Sequence, residues 1–402
     1  TLRIVILNKK NKVSVFYMLA LLVLVFEMVR SRNTRTWPIE IAIFWGLFAI
    51  RVVYKGKVKQ YLNCFSNGVF IHFIGISIYA MLYRPFHYFS YIRYPGVFHT
   101  VTMAAVYFTL VLILALLRFL YVYRTKKSLL KSWKEIIIMG MASGFLLLTI
   151  SRTGFLAAII LCPTIIVITA FVEFGDKFIG AFKRLLLFCG IVVGSFFVVF
   201  SLCRLIPAIV GKPFTFEIER FMASIREGEE WDSRNFATVP RFFGVADAKI
   251  SYYGDIIIEE GKVSNENVDR VQDSKELPAD LTAMGANTDY SNGRWDIYKA
   301  YLQVLDWKGH DSVSLETEEE TIMHAHNSFI QTAYDFGLGA GIYFLAFCVF
   351  AGIRSIYYYS RHRTESTGMI PIVLLVAFGI CGMVEKVFFP YMSMGFAFLF
   401  VL

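Results

Sequence analysis

A chain of 402 residues that is 56% hydrophobic, with a mean hydropathy of +0.56, is too apolar for an ordinary soluble fold. Its net charge of +9 is unevenly placed, so the basic balance reflects topology and gives no reason to expect nucleic acid as a partner. The short alternating segments of a membrane β-barrel are not seen, and the expected fold class is an all-α polytopic membrane protein with about 10 or more transmembrane helices.

In chain order, apolar runs near the length of about 20 residues that crosses hydrocarbon are expected to form ten spans. They lie at 13–29, 38–54, 65–83, 98–122, 135–151, 154–172, 185–207, 327–353, 369–388 and 389–402. The 39 Phe and 22 Tyr suit lipid-facing surfaces and interfacial belts. The chain opens on Thr1, and no cleaved signal peptide is read there. One set of alternate connections carries 19 Lys and Arg, from Arg3 to Arg363, against seven on the opposite short connections. The N-terminus is therefore expected in the cytoplasm. The long segment between spans 7 and 8 then lies outside; from 208 to 323 it holds 23 acidic and 12 basic residues. This divides the chain into a bundle of spans 1–7 (1–207), a large extracytoplasmic loop domain (208–326) and a bundle of spans 8–10 (327–402). Hydrophobic runs at 250–253 and 255–258, and a helical pattern after Ser291, argue that the loop is ordered. The six cysteines lie in or beside apolar runs and read as packing residues, with no CxxC pair for structural zinc.

Three places could carry chemistry. The first runs from His324-Ala325-His326-Asn327 through Gln331 to Gly337 and Gly341, where the loop re-enters the membrane. Asn327, Gln331 and Asp335, spaced by four, share one helical face, and Gly337 and Gly341 form a GxxxG step. Spacing alone leaves two roles open: a wet cavity lined by polar groups, or an interfacial cap with packing glycines. The second is Ser151-Arg152-Thr153-Gly154, between two apolar runs that only a tight turn can join. Arg152 then lies at the external interface, either as a site residue or snorkelling to headgroups. The third is Ser291-Asn292-Gly293-Arg294-Trp295, where Ser291 or Asn292 caps a helix whose repeat is Trp295, Tyr298, Leu302 and Leu305. Arg294 in its first turn suits a diphosphate, or simply pairs with loop carboxylates. A short external stretch, Tyr83-Arg84-Pro85-Phe86-His87 followed by Arg93-Tyr94-Pro95, adds Arg and aromatics, and Arg30, Arg32 and Arg35 add external positive charge. The acidic run 318–320 reads as a solvated face. There is no P-loop, no HExxH and no Asp-x-Asp pair, and no internal repeat of the kind transporters show.

Taken together, residues 151–154, 294 and 326–341 resemble the O-antigen ligase and polymerase family, whose members share a Ser-Arg-x-Gly turn, a Gly-Arg helix start and a His-Asn motif with spaced glycines. Residues 93–104 also look like the family's Gly-Phe-x-Asn-Pro-Asn-x-x-Ala segment, with His99-Thr100-Val101 in place of Asn-Pro-Asn. The resemblance implies a metal-independent glycosyltransferase of the bacterial inner membrane, without a cofactor, whose site faces the periplasm or cell exterior. It implies an undecaprenyl-diphosphate-linked glycan as donor, the lipid bilayer as surroundings, and other polysaccharide-assembly proteins, a flippase and a chain-length regulator, as partners. On that reading Arg152 and Arg294 hold the diphosphate with Arg84 beside them, His326 is the base and Asn327 orients the acceptor. His324, Gln331 and Ser151 are the secondary candidates. Polymerase is the expected activity; ligation to lipid A core or another acceptor, and transport of a lipid-linked glycan, are the alternatives.

Overall fold

The computed structural model describes residues 15–53, 57–83, 93–175, 178–210, 239, 242, 243, 246, 294–317 and 321–399. They are mostly helical. In chain order the helices are α1 (Val15–Arg30), α2 (Trp37–Val53), α3 (Val58–Tyr83), α4 (Val101–Lys126), α5 (Trp133–Leu148), α6 (Arg152–Ile168) and α7 (Phe178–Val210). After these come α8 (Arg294–Gln303), α9 (Ser328–Phe336), α10 (Leu338–His362), α11 (Ile370–Val384) and α12 (Met394–Leu399). A two-stranded antiparallel ladder, β1 (Leu315–Glu316) with β2 (Thr321–Ile322), sits between α8 and α9. Among the described residues, α3, α4, α6 with its π-helical extension to Glu173, α7 and α10 are long and apolar enough to cross a membrane. The chain is thus an all-α membrane protein. The expected loop runs at 250–253 and 255–258 lie outside the described residues, as do 318–320 and the cap candidates Ser291 and Asn292.

α4 is the axis of the bundle. Its side chains from Ala104 to Leu117 are buried, and α5, α6 and α11 pack round it. Lipid tails are as apolar as leucine, so these helices associate through close packing and small residues. Gly140 and Gly144 on α5 show how: a Cβ on either would run into Ser195 or Val199 of α7. Above this contact the rings of Phe108 and Phe145 stack at 5.2 Å, with Phe73 edge-on to both at 6.1 Å.

The expected single span over 327–353 is two helices. Gly337 adopts φ +95, a conformation open to glycine and strained for any other residue, and it turns α9 back against α10. Gly341 lets this happen, because a Cβ there would meet Ala333 of α9. The glycine step read as a seat for a neighbouring helix therefore makes a hairpin within the chain. The last expected span, 389–402, is represented by the six residues of α12 within the described part.

Residues 306–309 reach back to the first hairpin. The Arg32 N–H donates to the Lys308 carbonyl at 2.9 Å, and Arg30 Nη2 donates to the Trp307 carbonyl at 3.1 Å. Arg32 also faces Asp306 at 3.7 Å. Arg30 and Arg32 thus have protein partners.

Gly337→Ala should lower the thermal midpoint of the detergent-purified protein, since the new Cβ meets the Trp307 carbonyl in a left-handed conformation, at a cost of about 1–3 kcal/mol. Gly190→Ala on α7, with open space around it, should leave the midpoint unchanged or raise it.

Candidate active site

The three sequence motifs meet at one end of the bundle. α8 is held there by two tyrosines. Tyr301 is fully buried, its hydroxyl within reach of the Val313 and Ile322 carbonyls at 3.2 and 3.1 Å and its ring edge-on to Tyr334 at 4.7 Å. Tyr298 lies with its hydroxyl 2.9 Å from the Met383 carbonyl and 3.2 Å from that of His326. Positions 294, 298 and 301 share a helical face, so the face that holds the tyrosines also aims Arg294 at the end of α11. Of the expected repeat, Tyr298 and Leu305 pack inward, whereas Trp295 and Leu302 are 63% and 53% exposed.

Arg294 Nη2 meets Glu385 Oε1 at 2.7 Å, and the other oxygen of that carboxylate lies 3.2 Å from His326 Nδ1. Glu385 follows the last turn of α11 in an extended conformation, so its neighbour Lys386 points the opposite way. Lys386 Nζ meets Asp335 Oδ2 at 3.0 Å, with both side chains fully buried. Gln331 Nε2 donates to the second Asp335 oxygen at 2.7 Å and to the Val313 carbonyl at 2.9 Å, and Gln331 Oε1 accepts the Ala325 N–H at 2.6 Å. Ser328 Oγ clips the strand that carries the pair, donating to the Glu385 carbonyl at 2.8 Å and accepting the Val387 N–H at 2.9 Å. Gln331 is therefore a buried bracket.

His326 stands in the left-handed region at φ +47, a strained place for a side chain. Asn327 behind it is the cap of α9. Its Oδ1 accepts the Phe329 and Ile330 N–H groups at 2.9 and 3.1 Å, and its Nδ2 donates to the Met383 carbonyl at 3.1 Å. Both ends of the carboxamide are used on backbone, so Asn327 holds His326 in place and does not face an acceptor as expected. A proton on Nδ1 of His326, drawn to Glu385, leaves Nε2 with the lone pair. His324 packs its ring 4.0 Å from that of His326 and 4.3 Å from that of Tyr391. Burial, and then the neighbouring His326, push its pKa down to about 4. Its Nδ1 accepts the His326 N–H at 3.2 Å, which the neutral ring can do.

Arg152 opens α6, one residue after Ser151, which is buried and makes no side-chain cap bond. Arg152 lies within electrostatic reach of both Arg294 and Arg93. Arg93 threads under the α5–α6 turn, its Nε 3.2 Å from the Thr149 carbonyl and its Nη2 3.4 Å from that of Ile150. Burial and the Arg152 charge lower its pKa to about 10. Arg93, Arg152 and Arg294 thus form a chain of guanidiniums within electrostatic reach of one another, and Arg294 joins it to the carboxylate and histidine. The third expected arginine, Arg84, lies outside the described residues. Arg93 was noted in the sequence only as part of an Arg- and aromatic-rich stretch, and Glu385 and Lys386 were not singled out, although an acid and a lysine inside the apolar run 369–388 are the kind of signal that marks a site.

Compared with known proteins, the chain matches no family model, no curated protein and no solved structure.

Breaking the buried pair by Lys386→Met or Asp335→Leu should cost about 3–5 kcal/mol each, measured by unfolding in detergent, while the two substitutions together should cost less than their sum. The depressed His324 pKa adds a pH dependence. Its contribution is complete above the unfolded value of 6.5 and is lost as pH falls towards 4, because the unfolded chain binds the proton first. Melting curves from pH 7 to 4 should therefore fall less steeply for His324→Gln.

Proposed function

We propose that the protein is a membrane glycosyltransferase that moves a glycan from undecaprenyl diphosphate to the end of a growing lipid-linked glycan, working outside the cytoplasmic membrane with its N-terminus inside. The observation that carries the reading is the chain of Arg93, Arg152 and Arg294, which Arg294 joins to the His326–Glu385 pair. Cationic groups held near a histidine–carboxylate pair supply the charge that a leaving diphosphate requires.

The chemistry follows from the residue types. His326 Nε2 takes the proton of the acceptor hydroxyl, and Glu385 stabilises the imidazolium that forms. The acceptor oxygen attacks the anomeric carbon of the donor sugar. The bond from that carbon to the diphosphate breaks, and undecaprenyl diphosphate leaves with the electron pair. Arg152 and Arg294, with Arg93 behind them, neutralise the charge that develops on it. Asn327 and Tyr298 act as positioning residues for His326. The His324 ring, held neutral, adds no positive charge beside the base.

Purified protein given only a lipid-linked repeat unit should build a ladder of longer lipid-linked products. Arg294→Ala and His326→Ala should each reduce this by about 100-fold or more, while Lys126→Ala at the far end of the bundle should not. Transfer seen only after lipid A core or a protein acceptor is added would make the activity ligation. Full activity in both folded variants would overturn the site, and silence with every acceptor would turn the reading to transport of the same lipid.

A further inference from the structure

The opposite end of the bundle holds a second charged place that the proposed transfer does not use. α3, α4 and the start of α5 enclose a groove of about 270 Å³ in the flank of the protein. Arg118 lies in it, inside the apolar run of α4 and 43% exposed in its side chain. Its Nη1 donates to Asn67 Oδ1 at 2.5 Å, its Nε faces Glu135 Oε1 at 3.3 Å, and its guanidinium lies 5.7 Å from the centre of the Phe70 ring. Glu135, 11% exposed in its side chain, balances that charge. Lys134 lines the same groove, so Arg118, Lys134 and Glu135 together leave one positive charge there. The wall beyond them is apolar, with Ile71 and Ile74 73% and 45% exposed. Trp133, next to Lys134 and 55% exposed, has the place of an interfacial anchor.

A groove in the lipid-facing flank of a membrane protein is filled by lipid. One surplus cation at its mouth selects which lipid enters, since a phosphodiester with a neutral headgroup brings one negative charge, whereas a zwitterionic lipid brings none. Arg118 lies eight residues before Lys126, about 12 Å along the helix, so its guanidinium reaches from below towards a phosphate that Lys134 meets at the interface. The exposed isoleucines offer a track for an acyl chain. We propose that this groove binds one anionic phospholipid from the leaflet at the basic end of the bundle, with its phosphate between Lys134 and Arg118 and one chain along Ile71 and Ile74. This assignment stands on the groove alone and is independent of the glycosyl transfer.

Native mass spectrometry of the delipidated full chain in detergent tests it, with phosphatidylglycerol and phosphatidylcholine of the same acyl chains as probes. One phosphatidylglycerol should be retained about fivefold to tenfold more tightly than phosphatidylcholine. Lys134→Glu, which reverses the surplus charge, and Ile74→Trp, which fills the apolar track, should both lose that preference. Lys126→Glu, on the same end but outside the groove, should keep it. Equal retention of the two lipids, full preference in both groove variants, or an equal loss in Lys126→Glu would each overturn the assignment.

Discussion

The carboxylate of Glu385 is the contact on which the outer end of the molecule depends. One oxygen holds Arg294 from α8 and the other faces His326 from the segment that leads back into the bundle. Without it, Arg294 would lose its 2.7 Å ion pair while staying within electrostatic reach of Arg152, and α8 would lean more on Tyr298 and Tyr301. An ion pair 26% and 9% exposed contributes little net stability, because desolvation offsets most of the attraction. Its value is geometric. It sets the distance between a cationic group and a base that come from different parts of the chain.

That carboxylate is itself held from behind. Lys386 and Asp335 lock the next residue into the interior, and Ser328 clips the backbone on both sides of Lys386. Two backbone strains lie nearby, His326 at φ +47 and Ile150 at φ +46. For a β-branched isoleucine that conformation is an outlier, and it costs about 1–3 kcal/mol. Each is secured by hydrogen bonds to its neighbours, from Arg93 to the Thr149 and Ile150 carbonyls and from the Asn327 cap behind His326. The outer end therefore combines gathered like charge, strained backbone and dense side-chain bonding, whereas the flanks are held by simple close packing.

Much of this was legible in the sequence, because apolar length is a direct readout of a helix in lipid. The expected runs at 98–122, 135–151 and 154–172 fall on α4, α5 and α6 with ends a few residues apart. Arg152 opens a helix after a tight turn and Arg294 opens another, both as their punctuation implied. The misses have physical causes. A hydrophobic run does not reveal a fold-back when one glycine supplies it, so the break at Gly337 was read as packing, while the packing glycines at 140 and 144 passed unnoticed. The inner face of α8 was read in part: Tyr298 and Leu305 of the counted repeat pack inward, but the buried Tyr301 fell outside the count. Asn327 was left between a cap and a polar cavity by its spacing, and the structure shows it capping α9. Glu385 and Lys386 were counted only as charges at the edge of a span, since their partners lie 50 or more residues away in the chain.

The bond from the Arg30 side chain to the Trp307 carbonyl has a consequence for how the protein is made. Arg30 and its acceptor Trp307 are separated by 277 residues, so the first hairpin enters the membrane long before its partner is synthesised. At about 5–20 residues per second, the ribosome needs roughly 15–55 s to deliver it. The other partner of Arg30, Glu27 at 2.6 Å, lies three residues before it on the same helix and is therefore at hand from the start. The i, i+3 pair thus acts as a placeholder during biogenesis, neutralising a charge at the membrane surface until the returning chain takes its share.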